Sequence, residues 1–466
     1  MNSTALKEID GISQKYATAF PKSKKIFERS GHVFPNGSAQ GWRVFPPFPP
    51  VMTGGIGSVL ETVDGKRLLD FWLGHFAMLR GHAPPDQRVV AERRLSRDAW
   101  FHLGQVASLE VEVAQLLIDV ALADRVVFAT SGAQATASAC MLARATTKRS
   151  IIVKAVGGWH GVQPWSTVAV SRPAGQECLG MPSSSVEETV AVTFNDTASL
   201  TDLMETVGDK VAAVILEPTL GSAGMIVASK EYLREARRLT QKFGSCLILD
   251  EIVTAFRVRP GPMCFSYDVK PDLLVLGKAI SGGMPFAAVC GSEAWFEVCR
   301  KGSGDRVMAD LGTFVAHPGT LACVKNELTQ LGALTLDDYM AFCQRFAELR
   351  DQVESWLRAK GVRCAATGRS RDEDIPDFPI GTIRFARDAK LSRYDLEFKP
   401  SIHWDSALLH VEVTVVWARV LMLLQGCFIW HGLGALAFGH SKSDLESFSE
   451  AYEAITPQLK RLVAPG

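Results

Sequence analysis

An α/β fold, with a large doubly wound and mostly parallel sheet followed by a smaller α+β tail, is the class this sequence predicts. Three observations predict it. Short apolar runs at 211–216, 246–249 and 272–276 are too short for helices and end at Gly, Pro or acidic residues, as core strands do. Helical patterns such as 230–242 alternate with such runs from about residue 103 to 292, the order of βαβ units. Beyond residue 334 the pattern changes to a long helix, a polar stretch and a short strand. At 466 residues the chain exceeds one ordinary domain, so several structural units are expected.

The first thirty residues read as a helical arm, with Lys22, Lys24 and Lys25 on a solvated stretch. A Pro-, Gly- and aromatic-rich loop follows from Phe34 to Pro47, where neither a helix interior nor a central strand is possible. Arg43 in that loop either clamps a carboxylate through its planar fork or stacks on a neighbouring aromatic. Residues 58–71 read as a hairpin with Asp64-Gly65 as the tight turn. Helices are expected over 86–99 and 109–120, then a strand at 125–128.

That strand runs into Thr130-Ser131-Gly132-Ala133-Gln134 and a long small-residue helix. A strand, a Ser-Gly turn and a helix amino terminus make an anion site, because free N–H groups and the helix dipole point one way; a simply capped helix has the same pattern. A strand at 150–153 leads to Gly157-Gly158-Trp159-His160-Gly161. There Trp159 or His160 either lies flat on a planar ligand or packs in the core. The run at 246–249 ends in Asp250-Glu251, and a carboxylate at the tip of an apolar strand needs a partner. One strand further on, Lys278 follows Gly277 at a strand's carboxyl end, where open α/β sheets keep their ligands. An amine there, flanked by apolar residues, suits nucleophilic work, although most lysines are surface residues. Downstream, 334–360 reads as helix, 367–377 as a mobile loop, 380–385 as strand, 408–425 as helix, and 443–460 as an amphipathic terminal helix.

Composition narrows the function classes. Hydrophobic residues make up 47% and charged residues 21%, ordinary for a soluble globular protein. Lys+Arg and Asp+Glu both number 50, which argues against nucleic acid as a partner. No signal core opens the chain and no stretch suits a bilayer, since Glu412 and Arg419 interrupt the best candidate at 411–429. Ten cysteines occur without a CxxC pair, and Cys140, Cys246 and Cys290 sit in apolar runs. They read as reduced packing residues of a cytoplasmic protein, with no metal framework.

An anion-binding helix start, an isolated carboxylate, an aromatic loop and a strand-end lysine are the four things pyridoxal 5′-phosphate (PLP) requires. The chain also resembles the class III, fold-type I PLP-dependent aminotransferases, and within them the glutamate-1-semialdehyde aminomutases and β-amino-acid transaminases. The resemblance runs from Pro35-Asn36-Gly37 to the terminal helix, and is most specific at 249–257 and 276–283. It implies a large PLP-binding domain over 76–325 and a smaller α+β domain from both termini, 1–75 and 326–466.

It further implies that Lys278 is the Schiff-base lysine and moves the substrate proton, and that Asp250 keeps the pyridine nitrogen protonated. Ile252 packs on one ring face and Trp159, with His160 beside it, on the other. Ser131, Gly132 and Ala133 hold the phosphate, and Ser222 stands where the family often has an asparagine near the phenolic oxygen. Thr313 reaches the phosphate of a neighbouring subunit, so a homodimer with shared sites is implied. Arg43 takes the substrate carboxylate. Several positions depart from the family pattern. Ala133 and Gln134 replace a threonine and a glutamate, His317 replaces an asparagine, and no carboxylate occurs between Phe428 and His440, where aminomutases carry a glutamate. The expectation is therefore an aminotransferase working between an α- or β-amino acid and an oxo acid, with an aminomutase or amino-acid racemase as the alternative.

Overall fold

The structure is a computed structural model that describes residues 3–170, 180–300 and 311–464. Its strands in chain order are β1 (Met52–Ile56), β2 (Val59–Thr62), β3 (Arg67–Asp70), β4 (Arg125–Ala129), β5 (Ile151–Ala155) and β6 (Thr189–Val192). There follow β7 (Val211–Leu216), β8 (Thr219–Leu220), β9 (Ile226–Val227), β10 (Cys246–Asp250), β11 (Leu273–Gly277) and β12 (Ala287–Gly291). The last are β13 (Cys364–Ala366), β14 (Ile380–Gly381), β15 (Ile383–Phe385), β16 (Cys427–Phe428) and β17 (Gly434–Ala435).

The central sheet has seven strands in the order β4-β12-β11-β10-β7-β5-β6. Only β12 is reversed, antiparallel to both β11 and β4, and the other pairs are parallel. Strands β7, β10, β11 and β12 are buried at every position, as continuous apolar runs predict for strands covered on both faces. Side chains alternate between two cores along these strands. Ile215, Ile248 and Val275 pack with Ala135, Ala139 and Leu142 of helix Gly132–Thr147. Their neighbours Leu216, Leu249 and Leu276 pack with Leu117 of helix Ser108–Ala121 and Leu239 of helix Lys230–Phe243. The sheet is doubly wound because its sequence is apolar on both faces.

A second sheet, β1-β2-β3-β16, joins the two ends of the chain, since β3 pairs in parallel with β16 through Leu69 and Cys427. The expected helical arm is two helices, Ser3–Ala19 and Pro21–Ser30. Asp64 does more than turn the hairpin, because its carboxylate accepts the Lys22 N–H at 2.7 Å and so caps the second helix. The hairpin loop is wider than two residues, with the Thr62 N–H donating to the Lys66 carbonyl at 3.0 Å.

Three expectations in the carboxyl-terminal third need correction. The run at 380–385 is two short strands rather than one, β14 pairing with β17 and β15 with β13. The helix expected over 408–425 starts later, because Leu409 bridges to Ala386, and it passes through a π-helical turn at Val413–Trp417 before Ala418–Leu424. The polar stretch at 367–377 has no helix or strand, yet it is pinned down. Arg369 pairs with Glu354 at 2.8 Å, Asp377 with Arg350 at 2.8 Å, and Asp372 accepts the Lys230 N–H at 2.7 Å. Polarity there serves ion pairs instead of mobility. The nine described cysteines are free and eight of them are buried; Cys178 lies outside the described residues.

Candidate active site

A cavity of about 460 Å³ opens over the carboxyl ends of the central strands. Ser131 follows β4, Trp159 follows β5, Glu217 follows β7, Asp250 ends β10 and Lys278 follows β11, and all five line it. Convergence is a product of the parallel topology, which brings strand ends of one polarity to one edge.

Lys278 is half-buried and takes a left-handed φ of 44° just after β11. Burial pushes its amine below the ordinary lysine value, and the charges of Asp250 and Glu217 pull it part of the way back. Asp250 belongs to the adjacent strand, in register with Val275. The partner its burial demands is His160, whose Nδ1 lies 2.8 Å from Oδ2; the other oxygen accepts the Ile252 N–H at 3.2 Å. A carboxylate only accepts, so Nδ1–H donates. Burial pushes His160 below the usual imidazole value, against the pull of Asp250. His160 therefore does not lie flat on a ligand; it orients Asp250, with its ring stacked toward Trp165 at 6.3 Å.

Trp159 lines the cavity on the same loop. Three carbonyls of that loop, those of Gly158, Ser166 and Val168, accept from the buried Lys154 ammonium at 2.8, 2.9 and 2.7 Å. At the start of helix Gly132–Thr147, Ser131 is the N-cap, accepting the Gln134 N–H at 3.3 Å. Gln134 in turn accepts from the Thr130 N–H at 3.1 Å, so the amide found in place of a glutamate still closes the turn. Gly132 sits against Ile252, where an added Cβ would fall 2.5 Å from its Cδ1.

Ser222 also lines the cavity, and its carbonyl accepts from the Trp404 indole at 3.1 Å. Two expected residues do not line it. Arg43 is exposed at the loop turn Gly41–Arg43, and Thr313 is exposed in the turn before helix Pro318–Gly332.

Sequence reasoning missed Glu217 and His75. Glu217 is buried and accepts the N–H groups of Trp159 and Gly221 at 3.0 and 3.1 Å. Burial, with Asp250 nearby, nevertheless lifts its carboxyl to about 8. The Glu-Pro that closes β7 was the available signal. His75 makes no side-chain hydrogen bond among the described residues, and burial, with the charges of Arg43 and Lys278, pushes its imidazole down to about 4. Nothing in the sequence marked it, since a left-handed turn brings it to the cavity.

A planar cofactor with an aldehyde, a ring nitrogen and a phosphate fits these groups. An amine and a carboxylate stand at adjacent strand ends, a helix amino terminus offers N–H groups, and Gly132 leaves room beside Ile252 that a Cβ would fill. The fold is that of the fold-type I PLP enzymes. Within that class the chain belongs to the class-III aminotransferase family, whose model matches residues 44–367, and its cofactor is PLP. It is similar to a glutamate-1-semialdehyde 2,1-aminomutase of Methanothermobacter thermautotrophicus, 33% identical over 320 residues, covering 68% of this chain and 75% of that one. The aminomutase of Methanopyrus kandleri is 32% identical over 455 residues, 95% of this chain and 99% of its own. Among solved structures, an omega-transaminase from Sphaerobacter thermophilus matches with a TM-score of 0.81 at 27% identity, over 94% of this chain and 98% of that one.

Proposed function

We propose that the chain moves an amino group on an amino-carboxylate substrate, with PLP held at Lys278. The observation that carries this reading is the placement of Lys278 and Asp250 at the carboxyl ends of adjacent strands over one cavity. Bound PLP supplies an electron sink that makes the amine-bearing carbon acidic. The lowered pKa of Lys278 keeps more of its amine neutral, able to attack a carbonyl and then to carry a proton to and from the substrate carbon. Asp250, oriented by His160, holds negative charge at the ring nitrogen. Ser131, Gly132 and Ala133 take the phosphate at the helix amino terminus, Ser222 approaches the phenolic oxygen, and Trp159 and Ile252 cover the two faces. Arg43 takes the substrate carboxylate at the mouth; its charge acts on His75, which lines the cavity.

A shift within one molecule is the leading reading, because relatives of 31–36% identity carry the aminomutase name. This reverses the order expected from the sequence alone. Transfer to a separate oxo acid stands second on one observation. The segment after β16 brings Trp430 and His431 to the cavity and no carboxylate.

The assembly proposed is a homodimer in which Thr313 serves the neighbour's phosphate. Phe101, Leu103 and Val106 are exposed on the loop that meets exposed Phe314 through His102, a ring distance of 5.6 Å. Segments 1–75 and 326–466, joined by β3 and β16, form the smaller unit beside 76–325. Free buried thiols suit a reducing compartment such as the cytoplasm, and among the described residues no helix is long and apolar enough to cross a membrane.

The Lys278→Ala variant is expected to lose activity and the visible absorbance of the lysine-bound cofactor; an unchanged spectrum overturns the assignment. Holoenzyme given one amino-carboxylate without an oxo acid separates the readings. A positional isomer indicates the shift, stoichiometric amination of the cofactor without isomer indicates transfer, and loss of α-stereochemistry indicates racemisation.

A further inference from the structure

One wall of the cavity is aromatic and is assembled from distant parts of the chain. Trp42 comes from the amino-terminal loop, Trp159 from the loop after β5, Trp404 from the segment after the short helix Pro400–Ile402, and Trp430 and His431 from the segment after β16. Trp42 meets Trp159 edge-on at 6.5 Å, and lies tilted to Trp404 at 6.1 Å and to His431 at 6.5 Å. Trp404 meets His431 edge-on at 5.5 Å, and His431 stacks on Trp430 at 3.8 Å. The box is held from behind by the Trp404 indole bond to the Ser222 carbonyl at 3.1 Å.

Charge is absent from this wall. The carboxylates and the amine that line the cavity, Asp250, Glu217 and Lys278, all belong to the strand ends. Two buried cations stand behind the aromatic residues, one held by carbonyls and the other facing only rings. Arg384 donates to the carbonyls of Leu396, Lys399 and Ala223 at 3.0, 2.8 and 2.8 Å. Arg419 lies over the rings of Phe45 and Trp72 at 4.7 and 4.6 Å, which cover its guanidinium on the cavity side, and its Nε makes no hydrogen bond among the described residues. Burial pushes His431 and its neighbour His403 well below the ordinary imidazole value, so both are neutral. A charged substituent placed here would lose its hydration against rings and meet no charged side chain of the wall itself. A flat ring would gain buried area together with edge-to-face contacts, which aromatic pairs favour beyond area alone.

We infer that the wall formed by Trp42, Trp404, Trp430 and His431 is the substrate's side-chain pocket, and that it takes a flat, uncharged aromatic group. The inference rests on the proposed site only in assuming that the substrate also carries a carboxylate, and it is the same for shift and transfer.

Three amine-free carboxylates test it without turnover: 3-phenylpropionate, pentanoate and glutarate, titrated into PLP-loaded enzyme by calorimetry and tryptophan fluorescence. The expected order is 3-phenylpropionate at least tenfold tighter than pentanoate, with glutarate weakest. Trp404→Ala and His431→Ala are expected to remove that tenfold preference while changing pentanoate affinity less than twofold. Trp42→Ala, at a residue 41% exposed, does the same where folding is not at stake. Glutarate binding as tightly as 3-phenylpropionate, no measurable binding of 3-phenylpropionate, or variants that weaken all three probes equally would each overturn the inference. Absorbance of the same samples reports separately on the cofactor. If the lysine-bound band never forms, the function reading fails, while the order of the three affinities still decides the wall.

Discussion

Glu217 is one of the groups through which the site responds to pH, beside Lys278, His160 and His75. Its two N–H donors favour the carboxylate, but burial and the nearby charge of Asp250 outweigh them and raise its value from 4.5 to about 8. Between those two values the unfolded chain has released the proton that the folded chain keeps. Folding then takes up a proton, and stability falls as pH rises through that window. As pH rises from 5 to 8 the cofactor-free protein should therefore lose stability through this group. Glu217→Gln should flatten that slope, as read by urea denaturation at each pH; parallel curves for the two proteins would show that Glu217 is ionised throughout. Lys278 and Asp250 were legible in the sequence because strand-end polar residues after apolar runs stand out. His160 was legible as a residue but not in its role, since only the fold sets its Nδ1 against Asp250, ninety residues away.

Between strand β3 and residue 80 the chain makes a turn that no local preference explains. Leu73, Gly74, His75 and Phe76 all lie in the left-handed region, with φ of 56°, 57°, 59° and 69°. Left-handed backbone costs a non-glycine residue roughly 1–2 kcal/mol, so the turn has to be held from outside. Asp70 accepts the N–H groups of Trp72 and Leu73 at 2.8 and 3.1 Å and pairs with His82 at 2.7 Å. Arg257, at the end of the segment that begins with Asp250, donates to the Phe76 carbonyl. One stretch of sequence thus sets both the carboxylate at the cavity floor and the turn that brings Trp72, His75 and Phe76 to its side. Gly74→Ala should lower stability by about 1 kcal/mol through backbone strain, although the nearest atom to its Cβ would be Met78 Cγ at 3.4 Å. Chemical denaturation measures this, and no change would mean that the turn relaxes in solution. The same logic explains the misread elements downstream. Period and propensity cannot distinguish one strand from two that pair with different partners, nor a loose polar loop from one fastened by Arg350 and Arg369.

At the scale of the whole molecule, the exposed apolar group around Phe101, Leu103, Val106 and Phe314 calls for cover, Val106 being 84% exposed. Sedimentation should find a particle of twice the chain mass. Leu103→Asp combined with Val106→Asp should yield monomer with weakened cofactor retention, because Thr313 stands beside the same surface. A double variant that stays dimeric would place the interface elsewhere. The amino-acid order by itself determined the doubly wound sheet, because uninterrupted apolar runs dictate strands buried on both faces, and it marked the lysine and carboxylate at their ends. Tertiary structure alone decided the rest of the site. The aromatic wall unites residues 42, 159, 404, 430 and 431, and the left-handed turn persists only through Asp70 and Arg257. The physical reason is that strand ends follow from local hydrophobic pattern, whereas packing between residues hundreds of positions apart depends on the closed fold.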